Sequence, residues 1–285
     1  MTQTDNDMPA AAAGSVAIGD LRVKRMGFGA MRLCGGYAWG PPTDRTGAHR
    51  MLRRALEFGV NFIDTADSYG PEVDETLIAE ALHPYPRGLV IATKAGYVRG
   101  RQGGWTPDGR PEHLRRALEG SLARLKLDCI DLYQFHTPDS KVPFAESVGA
   151  LADLQRAGKI RHLGLSNVSV AQLWQARRIA PIVSVQNEYN LETRGSEDVL
   201  KACEQLRIAF IPWYPLGAGS TLRSARLKRI AERHSATPAQ AAIAWLLAHS
   251  AVMLPIPGTS SLVHLEENVR AAGMKLSAHD LAQLD

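Results

Sequence analysis

Between residues 26 and 257 the chain carries eight short apolar runs separated by longer stretches of helical periodicity. This alternation narrows the available folds more than any other feature. The runs fall at 26–31, 61–64, 89–94, 129–136, 161–167, 182–187, 208–213 and 252–257. Runs of that length read as buried strands, and the segments between them as amphipathic helices. Leu114, Leu118, Leu122 and Leu125 recur at steps of four, four and three, which lays them along one helix face. Thr237-Pro238 supplies an N-cap with proline at the first helical position, and Ser196-Glu197-Asp198 a cap with acids in the first turn. Eight successive βα pairs, undivided by any linker rich in proline, glycine or serine, predict an α/β protein. The expected form is a (β/α)8 TIM barrel in one domain over residues 15–285. Just ahead of its first strand, Val16-Ala17-Ile18, a Gly19-Asp20 turn and Leu21-Arg22-Val23 predict an N-terminal β-hairpin. Residues 1–14 read as a mobile leader, lacking the basic and apolar regions of a signal peptide.

Charge and cysteine usage exclude several classes of function. Lys+Arg 33 against Asp+Glu 29 leaves a net charge of +4 over 285 residues, and no stretch concentrates five or six cations. The doublets Arg53-Arg54, Arg115-Arg116, Arg177-Arg178 and Lys228-Arg229 lie in helix-like segments and read as solvated faces, so no nucleic-acid partner is expected. The most apolar stretch, 241–248, is too short for a bilayer, so no membrane partner is expected either. Cys34, Cys129 and Cys203 are isolated, which suits a reducing, cytoplasmic compartment. His49, His83, His113, His162, His234, His249 and His279 show no ligand spacing, and no metal is expected. Gly27 and Gly29 lack the third glycine of a dinucleotide fingerprint and read as backbone space for the first strand.

The chemistry lies at the strand ends. Read towards their carboxyl ends, the runs reach Asp64, Lys94, His136, Ser166-Asn167, Gln186-Asn187 and Trp213. In a parallel barrel these positions converge on one mouth, where active sites are built. Tyr69 follows Asp64 in the next loop. A tyrosine is a poor acid near neutral pH. A lysine beside it favours the phenolate, an aspartate holds that lysine, and a histidine orients a carbonyl oxygen.

These residues carry a resemblance. Asp64-Thr65-Ala66-Asp67-Ser68-Tyr69-Gly70, Thr93-Lys94, Gln134-Phe135-His136, Gly164-Leu165-Ser166-Asn167 and Gln186-Asn187 occur in order at strand ends. Trp213-Tyr214-Pro215-Leu216-Gly217, Ile256-Pro257-Gly258-Thr259 and Leu265-Glu266-Glu267-Asn268 follow. From about Val16 onward the sequence resembles the aldo-keto reductases. The resemblance implies reduction of aldehydes and ketones by hydride transfer from NADP(H). Tyr69 would be the general acid, Lys94 its modulator, Asp64 the partner of Lys94, and His136 the ligand of the carbonyl oxygen. Ser166, Asn167 and Gln186 would hold the nicotinamide carboxamide and Trp213 would stack on the ring, with Tyr214 beside it. Ala30 and Met31, at the end of the first strand, match cofactor positions. Leu216 and Gly217 would meet the pyrophosphate, and Glu267 with Asn268 the adenine.

Two departures bear on specificity. Where many aldo-keto reductases place a lysine or arginine for the 2′-phosphate, this chain has Gly258 and His264. Thr259, Ser260 and Ser261 offer hydroxyls there at an expected helix start, an anion site in its own right, and Arg270 stands near. NADP(H) is the favoured cofactor and NAD(H) the other candidate. Tyr37, Trp39, Tyr97 and Trp105, in the loops after the first and third strands, either line a substrate pocket or cap the mouth. Short loops at 137–143 and 218–224 predict an open, shallow pocket for small or aromatic aldehydes, in a chain expected to be monomeric. The alternative is a nucleotide-binding regulatory subunit of the same fold, with little turnover. A metal-dependent hydrolase is disfavoured by the lack of clustered His/Asp ligands.

Overall fold

The computed structural model describes residues 8–100 and 103–284. The alternation seen in the sequence becomes a parallel sheet of seven strands wrapped by helices. In chain order the sheet strands are β3 (Phe28–Gly29), β4 (Phe62–Asp64), β5 (Val90–Ala95), β8 (Ile130–Phe135), β9 (Ile160–Ser166), β10 (Ile182–Glu188) and β11 (Ala209–Trp213). They lie side by side in that sequence, and every pairing is parallel. The eighth run closes the circle without forming a regular ladder. Phe210 N–H donates to Val252 O and Leu254 N–H to Phe210 O, while Gly27 N–H donates to Pro255 O on the other side. Pro255 and Pro257 have no N–H to give, which explains why this segment bridges β11 and β3 yet pairs so sparsely. The result is a (β/α)8 barrel. The first predicted strand is shorter than expected, because Ala30–Leu33 turns into a 3-10 helix.

Helices α1 (Arg45–Glu57), α2 (Val73–Leu82), α3 (Pro111–Leu125), α4 (Phe144–Arg156), α5 (Val170–Arg177), α6 (Glu197–Leu206), α7 (Ala225–Arg233), α8 (Pro238–His249), α9 (Leu262–Arg270) and α10 (Ala278–Leu284) surround the sheet. All four leucines of the α3 stripe are buried. Thr237 caps α8 as expected, accepting from Gln240 N–H within a reciprocal capping box. Ser196 precedes α6 but makes no side-chain cap. Its hydroxyl instead faces Asn187, whose amide lies 3.4 Å away.

The core has two layers because strand side chains alternate faces. Ile63, Ile91, Tyr133, Phe135 and Val185 point outward into the helix layer. Phe62, Val90, Ala92, Leu132, Ala209, Ile211 and Leu254 point inward and fill the barrel. Val16, Ile18 and Val23 join that interior from the hairpin β1 (Ser15–Ile18) and β2 (Leu21–Lys24), which plugs the end opposite the carboxyl mouth. Asp20, in its two-residue turn, accepts from Arg161 and His162 at the start of β9 and fastens the plug.

The expected leader is partly structured. Pro9–Ala13 forms a 3-10 helix, Ala10 is fully buried, and its N–H donates to Phe58 O. Ala10 and Ala13 are small enough to be buried there, so the segment over 9–13 is an ordered turn where the sequence suggested a mobile leader. Residues 1–7 lie outside the described residues. A second hairpin, β6 (Tyr97–Arg99) with β7 (Trp105–Pro107), rises where the sequence suggested only a loop. No helix among the described residues is long and apolar enough to cross a membrane.

Candidate active site

The inward face that carries Phe62, Ala92 and Leu132 continues, two residues at a time, to Asp64, Lys94, Gln134 and His136. Strand geometry thus delivers these polar groups to one point at the carboxyl end of the barrel. Lys94 is fully buried. Its Nζ donates to Asp64 Oδ1 at 2.6 Å, to Thr65 O at 2.9 Å and to Tyr69 OH at 3.3 Å. The second carboxylate oxygen of Asp64 accepts from Gln186 Nε2 at 2.8 Å and Gln134 Nε2 at 3.1 Å. One ion pair is therefore held by residues from β4, β5, β8 and β10, and its charges are almost wholly met inside the protein. Gly164 makes room for it, since a Cβ there would lie 2.9 Å from Gln134 Cγ. Nothing in the residue pattern singled out Gln134 for this role.

Burial pushes the Tyr69 phenol well above its ordinary value, with the Asp64 and Asp74 carboxylates adding to the rise. The sequence reading expected Lys94 to lower it. The direction is reversed because the phenol is desolvated and has two carboxylates near it. His136 moves the other way: burial and the Lys94 charge hold it well below its usual value, so the imidazole is neutral. Its Nδ1 lies 3.4 Å from Ser68 Oγ. The His136 ring meets Tyr69, Tyr97 and Trp105 edge to face, at centroid separations of 5.9, 4.8 and 6.1 Å.

From this point a cleft of about 720 Å³ runs across the mouth to the N-terminus of α9. Asp64, Tyr69, His136, Ser166, Asn167, Gln186 and Trp213 line its inner end. Asn167, in a left-handed conformation at φ 58°, bridges the strands. It donates to His136 O and Ser166 Oγ, and accepts from Trp213 Nε1 at 3.0 Å. That last bond fixes the indole plane. Tyr214 lines the cleft beside it, edge-on to Trp213. Met31, Leu216, Gly258, Thr259, Ser260, His264, Glu267 and Asn268 line the rest, with Tyr97 and Trp105 at the opening. Lys94 sits behind the lining. Ala30 is buried in its 3-10 helix, Gly217 belongs to the loop behind Leu216, and Asn187 turns away to bond the backbone of Val168. Tyr37 and Trp39 are outside the cleft, Tyr37 being 98% exposed. Arg270 is also outside it, paired with Glu266.

The residue that sequence reasoning missed is Arg32. Among the described residues it is the one lysine or arginine that lines the cleft. It is exposed and lies next to Gly258. A Cβ at 258 would come within 2.3 Å of Gly29 O and 3.7 Å of Arg32 Cγ. The backbone therefore admits no side chain at 258, and the arginine stem occupies the space beside it. Nothing in the run of apolar and polar residues around Arg32 marks it, because its position depends on the unexpected 3-10 turn.

Residues 25–285 match the model of the Aldo/keto reductase family. The chain belongs to the aldo-keto reductase family. A Schizosaccharomyces pombe protein described as an uncharacterized oxidoreductase is 47% identical over 285 residues, covering all of this chain and 93% of its own. The pyridoxine 4-dehydrogenase of Escherichia coli is 42% identical over 280 residues, covering 96% and 98%. The crystal structure of an aldo-keto reductase from Klebsiella pneumoniae in complex with NADPH superposes with a TM-score of 0.80 at 29% identity, covering 95% of this chain and 93% of that one. Members of this family are oxidoreductases, and complexes with NADP and NADPH occur among the structural neighbours of this chain.

Proposed function

We propose that this aldo-keto reductase reduces aldehyde and ketone carbonyls to alcohols with NADPH, and that aromatic aldehydes are its preferred class. The observation that carries this reading is the placement of Tyr69 OH 3.3 Å from a buried Lys94 that is itself locked onto Asp64, beside a neutral His136.

The cleft residues fit a dinucleotide in their order. Amide and hydroxyl groups of Ser166, Asn167 and Gln186 lie at one end, the Trp213 indole next, and Arg32 with Thr259, Ser260 and Ser261 at the far end. Such a series offers hydrogen bonds, a stacking face and an anion site in turn. When bound, the nicotinamide supplies the hydride that reduces the carbonyl carbon. The protein's own residues do the rest. The raised phenol keeps Tyr69 protonated, which is the form a general acid needs in the reducing direction. The neutral His136 donates an N–H to the carbonyl oxygen without adding a charge. Lys94, held by Asp64, stabilises the negative charge left on Tyr69 Oη as its proton moves to the product oxygen. Arg32 takes the place of the missing cation at 258 and supports NADP(H) over NAD(H). The rings of Tyr97 and Trp105 suit a flat substrate, in keeping with the name of the pyridoxine 4-dehydrogenase relative.

The test is fluorescence titration with NADPH and then NADH, followed by NADPH oxidation with 4-nitrobenzaldehyde and pyridoxal. Tight NADPH binding with turnover is expected. Tyr69→Phe should retain NADPH binding while turnover falls about 10²–10⁴-fold. Binding without turnover across a panel of carbonyls would favour a regulatory role, and an unimpaired Tyr69→Phe would remove Tyr69 from the mechanism.

A further inference from the structure

Arg99 is a half-buried arginine for which no carboxylate among the described residues lies within ion-pair distance. Its charge is met by backbone dipoles and aromatic rings instead. One terminal nitrogen donates to Ala38 O at 3.0 Å and Ser68 O at 3.1 Å, and the other to Tyr37 O at 3.1 Å and Gly103 O at 3.0 Å. The guanidinium carbon lies 3.8 Å from the centroid of the Trp105 ring and 5.4 Å from that of Trp39. Its Nε is buried and has no partner. Desolvation also lowers its pKa from the usual arginine value.

This arrangement joins three segments of the mouth. Tyr37 and Ala38 belong to the turn after β3, Gly103 and Trp105 to the β6–β7 hairpin, and Ser68 to the loop after β4. The Ser68 carbonyl opens the peptide whose N–H belongs to Tyr69. The same guanidinium therefore fixes the backbone before the phenol and presses on the ring facing it, at a Tyr69–Trp105 centroid separation of 6.2 Å. Trp105 is itself 41% exposed, and Tyr69, Tyr97 and His136 meet its ring edge to face, so its tilt needs a restraint on the ring face. A flat cation stacked on one face and anchored through four carbonyls supplies that restraint. Arg99 does not line the cleft, so it acts through its neighbours.

We propose that Arg99 is a positioning residue: by clamping Trp105 against the mouth it builds the aromatic wall that makes this reductase prefer planar aromatic aldehydes to small aliphatic ones. The proposal rests on the carbonyl-reductase reading above and adds the residue that sets the substrate class.

The experiment compares kcat/KM for 4-nitrobenzaldehyde and propanal with NADPH in the parent, Arg99→Met, Arg99→Lys, Trp105→Ala and Arg99→Met/Trp105→Ala. The aromatic-to-aliphatic ratio should fall about tenfold in Arg99→Met, the size of a partly desolvated cation–π contact. Arg99→Lys, with neither the flat face nor the fork of donors, should not restore it. In the Trp105→Ala background, loss of Arg99 should change the ratio by less than about twofold, because coupled residues are not additive. NADPH affinity should be unaltered throughout. An unchanged ratio in Arg99→Met, or a further full loss in the double variant, would overturn the proposal. Should Arg99→Met fail to fold, Arg99→Lys carries the same comparison. If the parent reduces neither aldehyde, the reductase reading fails. The wall is then read from calorimetric binding of 4-nitrobenzyl alcohol, which Arg99→Met weakens about tenfold if the clamp exists and leaves unchanged if it does not.

Discussion

Lys94→Met separates what the buried ion pair does for the fold from what it does for the chemistry. Lys94 and Asp64 are 0% and 2% exposed, and the ammonium spends three donors on Asp64, Thr65 O and Tyr69 OH. Methionine preserves most of the side-chain volume but leaves the Asp64 carboxylate with only the two glutamine amides to meet it. Breaking one side of such a pair costs about 3–5 kcal/mol, chiefly from the uncompensated buried charge. Adding Asp64→Asn removes that charge. The double variant should therefore regain more than about half of the lost stability, since neutral replacement of a whole buried pair is often tolerated. Activity should behave differently. Neither the single nor the double variant has a cation beside Tyr69, so both should lose about 10²–10⁴-fold in kcat. Urea denaturation of the four members of the cycle and NADPH-linked turnover give the two readouts. A Lys94→Met protein as stable as the parent, or a double variant whose loss equals the sum of the singles, would refute the electrostatic account of the pair.

Two further outcomes follow from the same geometry. Burial holds the Asp74 carboxyl up at about 7, although Thr65 Oγ1 donates to it. The native state therefore binds a proton between about pH 4 and 7 that the unfolded chain has released, and stability falls as pH rises through that window. Asp74→Asn stays neutral, so its stability advantage over the parent should grow from pH 5 to pH 8 in thermal unfolding; parallel curves would exclude this origin. Arg32→Ala should weaken NADPH binding about tenfold and NADH binding by less than about twofold, as expected for loss of one charge-assisted phosphate contact. An equal loss for both nucleotides would move the contact from the 2′-phosphate to the pyrophosphate, and no loss for either would exclude Arg32.

The barrel and the convergence of Asp64, Lys94, His136, Ser166, Gln186 and Trp213 were legible because both depend on period-two alternation in short strands. Alternation decides which face a residue occupies, and the carboxyl ends of parallel strands necessarily meet at one mouth. Positions that depend on anything else were not legible. The sparse pairing of residues 252–257 follows from prolines whose missing donors matter only once neighbours are known. The packing of Ala10 depends on a surface supplied by Phe58 and the last helices, far away in sequence. The upward displacement of Tyr69 arises chiefly from burial, with the Asp64 and Asp74 carboxylates adding to it, and burial of a loop residue cannot be read from strand alternation.

Arg32 and Arg99 show the limit most clearly, and for the same reason. Each supplies charge from a segment other than the one where the strand-end reading looks for it. At 258 the backbone of Gly29 approaches so closely that a side chain is sterically excluded, and an arginine on a short helical turn from the neighbouring strand fills the adjoining space. At the mouth, a hairpin arginine with no carboxylate partner among the described residues is stabilised by four carbonyls drawn from three segments. A charge at either place can be met from any element whose backbone passes within reach, so selection acts on the location of the charge and leaves its point of origin in the chain free. Placement along matched motifs therefore reads most directly for groups anchored on the barrel's inner face, and least directly for charges borne on its loops, which can reach one spot from several elements.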